Sequence, residues 1–362
     1  MRAAIFRQAG SPLEIEQVDL ASPGPREIRI RPSYAGLCHS DLHFLDGHIA
    51  WPLPAVLGHE SAGIVEAVGT EVRDFVPGDH VVTCLSVFCG GCANCTTGLP
   101  THCTNEDVKL PPGAARRIFQ NGAPVHQFLQ LSSFAEQMLI HEHAAVKIDR
   151  EVPLDIATLL GCGALTGYSA VVNAARVRGG SSVAVIGCGG IGMAAINAAT
   201  IAGAARIIAI DTRQEQLDLA RRLGATDGVL ATRDGDVVAQ VRDLTLGGVD
   251  YAFEALGSPA TVQQAFQMTR PGGVATVIGV VPPGQPITLS GIELLQDRTL
   301  QGTMMGGSHF RVDIPRMLDL WRQGRLNLDM LKGDVLPLEQ INAGFDRLRA
   351  GTSGRILIDL AA

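Results

Sequence analysis

A glycine-rich turn between an apolar strand and an apolar helix constrains this chain more than any other segment. Ser182–Ile186 is typical of a buried strand, Gly187-Cys188-Gly189-Gly190-Ile191-Gly192 is the turn, and Ile191–Ile201 is small and apolar around its circumference. A helix without a polar face packs on a sheet, so the segment predicts a strand–turn–helix unit of a layered α/β domain. The uncharged stretch 181–205 is long enough to cross a bilayer, but its interrupting glycines favour the buried unit.

Strands and helices alternate beyond this unit. Further strands are predicted at Ile207–Ile210, Val249–Glu254 and Val274–Val280, with helices at Gln214–Leu223 and from Pro259 onward. Strands separated by helices of this length predict a parallel, doubly wound sheet. After residue 306 the pattern predicts helices around Ile314–Gln323 and Leu338–Ala350, then a final strand at Arg355–Leu360. A strand this apolar must pair with a sheet, and we expect it to pair with the first domain.

The first part of the chain has a different pattern of residues. Short alternating or β-branched segments at Glu27–Arg31, Gly63–Val68 and Val81–Val82 predict a β-rich domain. Residues 104–130 are polar and contain Pro111-Pro112-Gly113 and Asn121-Gly122, so we predict one long surface loop there.

Composition excludes several classes of protein. The 362 residues are 46% hydrophobic and 18% charged, which favours a folded chain with a large core in two or three domains. The formal net charge of −7 and the 4% aromatic content argue against a nucleic-acid partner. The first ten residues lack the apolar core of a signal peptide, so we expect a cytoplasmic protein without a membrane partner.

Four of the eight cysteines fall in one short segment. Cys89, Cys92, Cys95 and Cys103 are separated by two, two and seven residues. Four thiolates at such spacing can close a tetrahedral zinc site of the structural type. Two disulfides or an iron–sulfur cluster are the alternatives, although a long chain without a signal peptide favours metal over disulfides. We expect the isolated Cys84 and Cys188 to be small buried residues.

The glycine turn also predicts dinucleotide binding. Glycines permit a tight turn and a close approach of backbone N–H groups to a pyrophosphate at the helix N-terminus. Asp211 lies 24 residues after Gly187, at the end of the next strand, and would accept hydrogen bonds from the ribose hydroxyls. This carboxylate favours NAD over NADP, whereas Arg213 could hold a 2′-phosphate and weakens the preference. The alternative is a packing turn without a ligand.

Three further segments contain metal-ligating side chains without diagnostic spacing. They are Cys38-His39-Ser40-Asp41-x-His43, Gly58-His59-Glu60 and Gly161-Cys162-Gly163. Taken alone, His59 could be an ordinary histidine and Cys162 a small core residue. Three nitrogen and sulfur ligands with a water molecule would instead make an open catalytic zinc site, with Ser40 and His43 as a proton relay.

All these motifs, in this order, resemble the zinc-dependent medium-chain alcohol dehydrogenases over nearly the whole chain. The most specific parts are Gly58-His59-Glu60, the four cysteines, Gly161-Cys162-Gly163-x2-Thr166-Gly167 and the glycine turn with Asp211. The segment after Cys103 and Gly302–Gly307 resemble the branch that contains the animal liver-type and class III enzymes and their bacterial relatives.

The resemblance implies an α/β fold with two domains. A GroES-like β-rich catalytic domain would span 1–163, with a structural-zinc lobe at 84–104. A Rossmann NAD-binding domain with a doubly wound parallel sheet would span 164–305, and residues 306–362 would return to the catalytic domain.

The resemblance also implies roles for single residues. Cys38, His59 and Cys162 would bind the catalytic zinc, Glu60 would lie close behind it, and Asp41 would orient His59. Ser40 would pass the substrate proton through the nicotinamide ribose to His43. The residues implied at the cofactor are His39, Thr166, Gly187, Gly189, Gly190, Ile191, Gly192, Asp211, Arg213 and Arg355. Among them, Thr166 and Ile191 would press on the nicotinamide, and Arg355 would reach the pyrophosphate.

The chain departs from the liver-type pattern at two cofactor positions. His39 stands where an arginine usually contacts the pyrophosphate, and Gln216 stands where a lysine often contacts the ribose. We expect both changes to loosen NAD binding. Around Ile49 the acidic residues of glutathione-dependent formaldehyde dehydrogenases are missing, which disfavours that activity.

The implied substrate pocket is apolar. It would contain Leu85, Phe128, Leu129, Val281 and Met304. Leu85 replaces a more usual aromatic residue, so the pocket should be wider and suit medium-chain or aromatic alcohols.

The sequence therefore predicts reversible oxidation of alcohols to aldehydes or ketones, with NAD and two zinc ions per chain, one catalytic and one structural. We expect a homodimer, or a tetramer, in which Thr299–Met305 pairs with a second copy. The alternatives are a zinc-less quinone or enoyl reductase on the same fold and a non-enzymatic NAD-binding protein. The three candidate ligands Cys38, His59 and Cys162 argue against the first alternative, and the Ser40–His43 relay argues against the second.

Overall fold

The computed structural model describes residues 1–113, 117–351 and 354–361, and the chain divides into two compact units. The β unit comprises Met1–Cys162, His309–Pro315 and the residues from Leu328 onward, and the α/β unit comprises Gly163–Ser308 and Arg316–Asn327. The first boundary lies one residue from the predicted one. The predicted C-terminal segment differs because residues 316–327 belong to the α/β unit, where the Asn197 side chain bonds the backbone of Arg325 and Asn327.

Strands occur along most of the chain. They are β1 (Arg2–Phe6), β2 (Glu14–Gln17), β3 (Asp19–Leu20), β4 (Glu27–Gly36), β5 (Ala55–Val56), β6 (Glu60–Val68), β7 (His80–Cys84), β8 (Ile118–Gln120), β9 (Ala123–Gln127), β10 (Met138–His141), β11 (Ala145–Ile148), β12 (Ser182–Ile186), β13 (Arg206–Asp211), β14 (Asp227–Leu230), β15 (Val249–Glu254), β16 (Thr269–Val277), β17 (Thr299–Gly302), β18 (Lys332–Pro337) and β19 (Arg355–Asp359).

The helices concentrate in the second half. They are α1 (His39–Leu45), α2 (Ala93–Thr96), α3 (Leu154–Thr158), α4 (Gly163–Ser169), α5 (Gly190–Ile201), α6 (Gln214–Arg222), α7 (Val237–Leu244), α8 (Pro259–Met268), α9 (Gly291–Leu294), α10 (Phe310–Arg322) and α11 (Ile341–Arg349). Short 3₁₀ turns lie at Pro100–His102, Glu142–Ala144, Met305–Gly307, Asp329–Leu331 and Leu338–Gln340, and a π-helical turn lies at Ala170–Ala174.

The β unit is built from two sheets. One has the order β11-β7-β6-β4-β19-β18, with β10 also paired to β4, and the other has the order β2-β1-β5-β9-β8-β3. The C-terminal strand β19 pairs antiparallel with β4, with Leu357 opposite Gly36. This pairing confirms that the apolar last strand returns to the first part of the chain. Its buried residues Ile356 and Ile358 join a core cluster with Leu37, Phe128 and Phe345.

The prediction of one surface loop over 104–130 is wrong in its second half. Strands β8 and β9 form an antiparallel hairpin around Asn121 and Gly122, both of which have positive φ. Such a dipeptide is a typical hairpin turn, because it tolerates the left-handed backbone that a tight turn needs. Ile118 and Val125 are buried against Ile5. Residues 114–116 of the predicted loop lie outside the described residues.

The α/β unit contains a parallel sheet in the order β14-β13-β12-β15-β16-β17. Strands β12 and β15 have the predicted bounds, whereas β16 begins before the predicted Val274 and ends at Val277. The sequence analysis missed β14 and α7, which are short or polar, and gave β17 only as part of the segment Thr299–Met305 expected to pair with a second copy. Since β12 lies between β13 and β15, the strand order reverses there, and ligands of such sheets bind beside the carboxyl ends at this point.

The uncharged stretch 181–205 forms β12 and α5, as predicted. The residues of α5 from Gly192 to Ala199 are buried, which explains why the helix has no polar face. Among the described residues, we find no helix with the length and apolar character required to cross a membrane.

Candidate functional site

Three candidate metal ligands meet in the interior of the β unit. Cys38 precedes α1, His59 precedes β6, and Cys162 follows α3. Their ligand atoms all lie within 4.8 Å of one another. The three residues are 2%, 1% and 5% exposed, and the buried His59 Nε2 has no hydrogen-bond partner among the described residues. Two sulfurs and one imidazole nitrogen fit a tetrahedral zinc ion with one position left open.

Asp41 orients the imidazole of His59. His59 Nδ1 donates to Asp41 Oδ1 at 3.0 Å, and Asp41 Oδ2 accepts the Cys38 N–H at 3.2 Å. The pair directs Nε2 of the ring toward the two sulfurs. Burial alone would lower the pKa of His59, but the charge and hydrogen bond of Asp41 raise it well above its usual value.

The two sulfurs of this cluster form an unequal pair. A hydrogen bond from the Cys162 thiol, opposed by burial and assisted by Arg355 and His59, holds the pKa of Cys38 well below its usual value. The same hydrogen bond, together with burial, raises the pKa of Cys162. Cys38 therefore lies in surroundings that stabilise a thiolate, which is the form that binds metal.

Glu60 and Arg355 form an ion pair beside the cluster. Glu60 is fully buried at the start of β6, and Arg355 at the start of β19 is 8% exposed. Arg355 Nε lies 3.2 Å from Glu60 Oε1, and its Nη1 donates to the Leu37 carbonyl at 2.8 Å. Burial opposes protonation of Arg355, but the charges of Glu60, Cys38 and Cys162 outweigh it and raise the guanidinium pKa. The pyrophosphate contact implied for Arg355 stays a prediction.

The candidate proton relay lies on α1. Ser40 and His43 are three positions apart on this helix, which places them on neighbouring parts of its surface. Both are half-buried, whereas the side chain of His39 is more exposed. The His43 ring lies 5.9 Å from that of His48, and burial, with the charge of His48, lowers the pKa of His43.

Aromatic side chains surround one side of the buried cluster. The Phe128 ring lies 6.1 Å from His59, 4.8 Å from Phe44 and 5.0 Å from Trp51, in edge-to-face arrangements. The sequence analysis missed Phe44 and Trp51, and the only signal was that Trp51 is one of two tryptophans.

The predicted pocket residues divide between the units. Leu85, Phe128 and Leu129 belong to the β unit, where the first two are buried and Leu129 has positive φ. Val281 and Met304 belong to the α/β unit, where Val281 is half-buried and Met304 is 49% exposed.

The four cysteines of the lobe form a second cluster in the β unit. Their sulfurs lie within 4.8 Å of one another, with Cys92 Sγ 3.5 Å from Cys95 Sγ and 3.9 Å from Cys103 Sγ. Tetrahedral zinc–sulfur bonds of ~2.3 Å would place the sulfurs ~3.8 Å apart, so the set fits a zinc ion. All eight cysteines are free, so the structure contains neither of the two disulfides considered above.

Backbone amides face the lobe sulfurs. The N–H groups of Gly91 and Cys92 donate to Cys89 Sγ, and that of Cys89 donates to Cys103 Sγ. Hydrogen bonds from Thr104 and Cys95 N–H lower the pKa of Cys92 to about 6. Cys84 and Cys188 take part in neither cluster and are fully buried, as predicted.

The glycine turn of the α/β unit has the geometry of an anion-binding loop. It follows β12 and leads into α5, whose first residue is Gly190. A Cβ at Gly192 would overlap the Gly187 carbonyl oxygen, so the close contact of helix and turn requires glycine. Ile191 is half-buried in the first turn of this helix. Thr166, on α4, is buried and its Oγ1 lies 3.5 Å from Met305 Sδ.

Asp211 is fixed against this turn. Its Oδ2 accepts the Cys188 N–H at 2.8 Å, and its Oδ1 accepts the Arg213 N–H at 3.0 Å. With the Gln216 amide oriented to satisfy both of its ends, its nitrogen donates to the Cys188 carbonyl at 3.0 Å and its oxygen accepts from Arg213. The sequence analysis did not foresee that Gln216 would be buried and would join the turn to Arg213.

Two family descriptions match the two halves of the chain. Residues 24–150 match "Alcohol dehydrogenase GroES-like domain", and residues 190–323 match "Zinc-binding dehydrogenase". The two matches follow each other in the order that the motifs predicted.

Solved structures match the chain over its length. An alcohol dehydrogenase zinc-binding domain protein from Burkholderia ambifaria is 38% identical with a TM-score of 0.94, over 100% of this chain and 99% of that one. The benzyl alcohol dehydrogenase of Acinetobacter calcoaceticus is 32% identical with a TM-score of 0.93, over 99% of each chain. A zinc-binding dehydrogenase from Sinorhizobium meliloti 1021, bound to NADP, is 25% identical with a TM-score of 0.83, over 99% of this chain and 98% of that one.

Proposed function

Because the chain belongs to the medium-chain zinc alcohol dehydrogenase family, we propose that it oxidises alcohols reversibly to aldehydes or ketones, with zinc and NAD. The observation that carries the proposal is the buried Cys38–His59–Cys162 cluster, in which His59 Nε2 has no hydrogen-bond partner among the residues described. A buried polar nitrogen without a partner is costly unless a ligand satisfies it.

The protein side chains position the reacting groups and move the proton. When bound, zinc supplies Lewis acidity to a substrate oxygen, and the nicotinamide supplies a hydride acceptor. Asp41 keeps the Nδ1 proton of His59, so that Nε2 remains a ligand atom. Ser40 Oγ accepts the proton of the substrate hydroxyl as its own hydroxyl proton moves on toward His43, and the His43 imidazole, which receives that proton, releases it to solvent. Phe128, Phe44 and Trp51 keep water away from this side of the cluster.

For the cofactor we propose a preference for NAD. Both carboxylate oxygens of Asp211 are held by backbone N–H groups, which fixes a negative charge at the end of β13. A ribose diol can donate to this carboxylate, whereas a 2′-phosphate would be repelled. Arg213 beside it should leave some NADP activity, and one relative was solved with NADP.

For the substrate we propose aromatic or medium-chain alcohols. One side of the cluster is covered by the aromatic Phe128, Phe44 and Trp51, and at the implied pocket position Leu85 leaves more room than an aromatic residue would. One relative is a benzyl alcohol dehydrogenase, which agrees with an aromatic substrate.

The test measures zinc content and NADH formation together. We expect two zinc ions per chain, and turnover of benzyl alcohol and hexanol that exceeds turnover of ethanol, with NAD preferred to NADP. Cys162→Ser should lose the buried ion and turnover but should still bind NAD, because the glycine turn is intact. Cys84→Ser is the matched control, since Cys84 is a buried cysteine outside both clusters.

Two outcomes would favour the alternatives. One zinc ion per chain with reduction of a quinone or an enone by NAD(P)H would indicate the zinc-less reductase. Binding of NAD without turnover of any alcohol or carbonyl compound would indicate a non-enzymatic protein.

We also propose a homodimer that joins two copies of β17. This strand lies at the edge of its sheet, and the exposed Ile292 (67%) and Leu295 (79%) lie in the segment before it. An open strand edge with apolar neighbours suits pairing with a second copy. Sedimentation should show a dimer, or a tetramer built from it, and Leu295→Glu should weaken it. A monomeric wild-type protein would contradict this.

A further inference from the structure

We infer that Arg355 is a positioning residue for the metal site: its guanidinium compensates and holds Glu60 and thereby retains the ion bound by Cys38, His59 and Cys162. The inference rests on the proposed function only in that zinc occupies this cluster. It differs from the pyrophosphate contact that the family resemblance implies for Arg355.

The strand pairing brings Arg355 to the cluster. β19 runs antiparallel to β4 with Leu357 opposite Gly36, and the Leu37 N–H donates to the Ile356 carbonyl at 2.9 Å. Because the strands are antiparallel, continuing this register two residues back from Leu357 and two residues on from Gly36 places Arg355 opposite Cys38. The hydrogen bond from Arg355 Nη1 to the Leu37 carbonyl then fixes the guanidinium on the residue next to Cys38.

Charge is the second argument. Two thiolates and a neutral imidazole balance a divalent zinc ion, which leaves the carboxylate of Glu60 as an excess buried negative charge. Arg355 lies 3.2 Å from that carboxylate and supplies the opposite charge. Loss of one partner of a buried pair leaves the other charge uncompensated. Without Arg355, the Glu60 carboxylate would therefore remain buried as an unpaired negative charge.

The position of Glu60 is the third argument. A carboxylate is itself a competent zinc ligand, and Glu60 follows directly after His59. Yet Glu60 is not among the residues whose ligand atoms converge, which are Cys38, His59 and Cys162. A Cβ at Gly36 would overlap the Glu60 carboxylate, so glycine leaves the room that this position of Glu60 needs. The ion pair with Arg355 thus keeps Glu60 beside the ligand set and outside it.

The experiment measures zinc release from the purified holoenzyme. Excess chelator with a zinc-sensitive dye reports two phases, and Cys162→Ser, which should hold only the lobe ion, identifies the phase of the buried site. For Arg355→Met we expect release from the buried site to accelerate by about 10- to 100-fold, as for other groups that support metal ligands. Release from the four-cysteine lobe should be unchanged. The matched control is Arg349→Met, which removes an arginine from an exposed ion pair of the same unit.

The double variant Arg355→Met/Glu60→Gln distinguishes charge compensation from a packing role. It removes both charges, so release should return toward the wild-type rate. Wild-type release from Arg355→Met, or a double variant as fast as the single one, would overturn the inference. If Arg355→Met does not fold, the double variant still tests the inference, because it should fold and retain zinc. A double variant that does not fold or does not retain zinc would contradict the inference.

NAD binding separates this role from the alternative one. Weaker NAD binding in Arg355→Met, with unchanged zinc release, would assign Arg355 to the pyrophosphate and refute the metal role. A zinc-loaded wild-type protein that oxidises no alcohol would refute the proposed function but leave this inference standing.

Discussion

The two cysteine clusters of the β unit are built in opposite ways. The lobe takes its four sulfurs from one short segment, and backbone N–H groups stabilise them at a partly exposed surface. The Cys38–His59–Cys162 cluster takes its ligands from three distant segments and buries them. Its support comes from side chains, namely Asp41 behind His59 and Arg355 beside Cys38 and Glu60. A local cluster therefore depends on the loop that carries it, whereas the buried one depends on the whole unit and on balanced charge.

The largest expected effect separates activity from stability. Cys162→Ser should lower turnover by about 1000-fold or more, because loss of Lewis acidity removes several kcal/mol of transition-state stabilisation. Cys92→Ser should instead abolish zinc binding in the lobe and lower the melting temperature, since metal binding there is part of the folding free energy. Turnover and thermal unfolding of both variants check this. Equal losses of turnover with equal melting temperatures would contradict the difference predicted between the two clusters.

A smaller effect tests the support behind the imidazole. Asp41→Asn should weaken zinc binding in the buried cluster by about 10- to 100-fold, because an amide holds the His59 ring and tautomer less well. The control is Asp46→Asn, at an exposed carboxylate that ends the same helix. Competition with a chelator measures both variants. Unchanged affinity in Asp41→Asn would mean that side-chain support matters no more here than in the lobe.

Thiol reactivity gives a third contrast. Burial raises the pKa of Cys84 to about 11 and that of Cys188 to about 12, in the latter case with help from Asp211. Near neutral pH both remain protonated and shielded, so an alkylating reagent should leave them unmodified. After zinc is removed with a chelator, the lobe cysteines should react first, with Cys92 among them. Mass spectrometry of digested protein identifies the modified residues, and early alkylation of Cys188 would contradict the described burial.

The same contrast explains what sequence analysis could predict. The lobe was predictable because the close spacing of its four cysteines already holds their sulfurs near one another. β12 and α5 were predictable because nearly continuous apolar runs define them. The hairpin of β8 and β9 was missed because it is short and follows a polar segment. No local pattern shows that Cys38, His59 and Cys162 meet, so that prediction needed the family resemblance.

Side chains that act across the fold were the hardest to predict. The approach of Phe44 and Trp51 to Phe128 depends on how separate segments pack. The pairing of Arg355 with Glu60 depends on the register of β19 on β4, which neither segment specifies alone.

The smallest expected effect is that of Arg349→Met, at an exposed ion pair that contrasts with the buried pair of Arg355 and Glu60. Arg349 contacts Asp46 and Asp346 at 2.7 and 3.0 Å, but its side chain is 42% exposed. Water and salt screen such pairs, so Arg349→Met should change the free energy of unfolding by at most about 1 kcal/mol. Arg355→Met removes one partner of a buried pair and should cost about 3–5 kcal/mol. Denaturant unfolding of zinc-loaded protein at low and high salt measures both. A comparable loss in the two variants would show that burial of the charge beside the cluster has no special energetic weight.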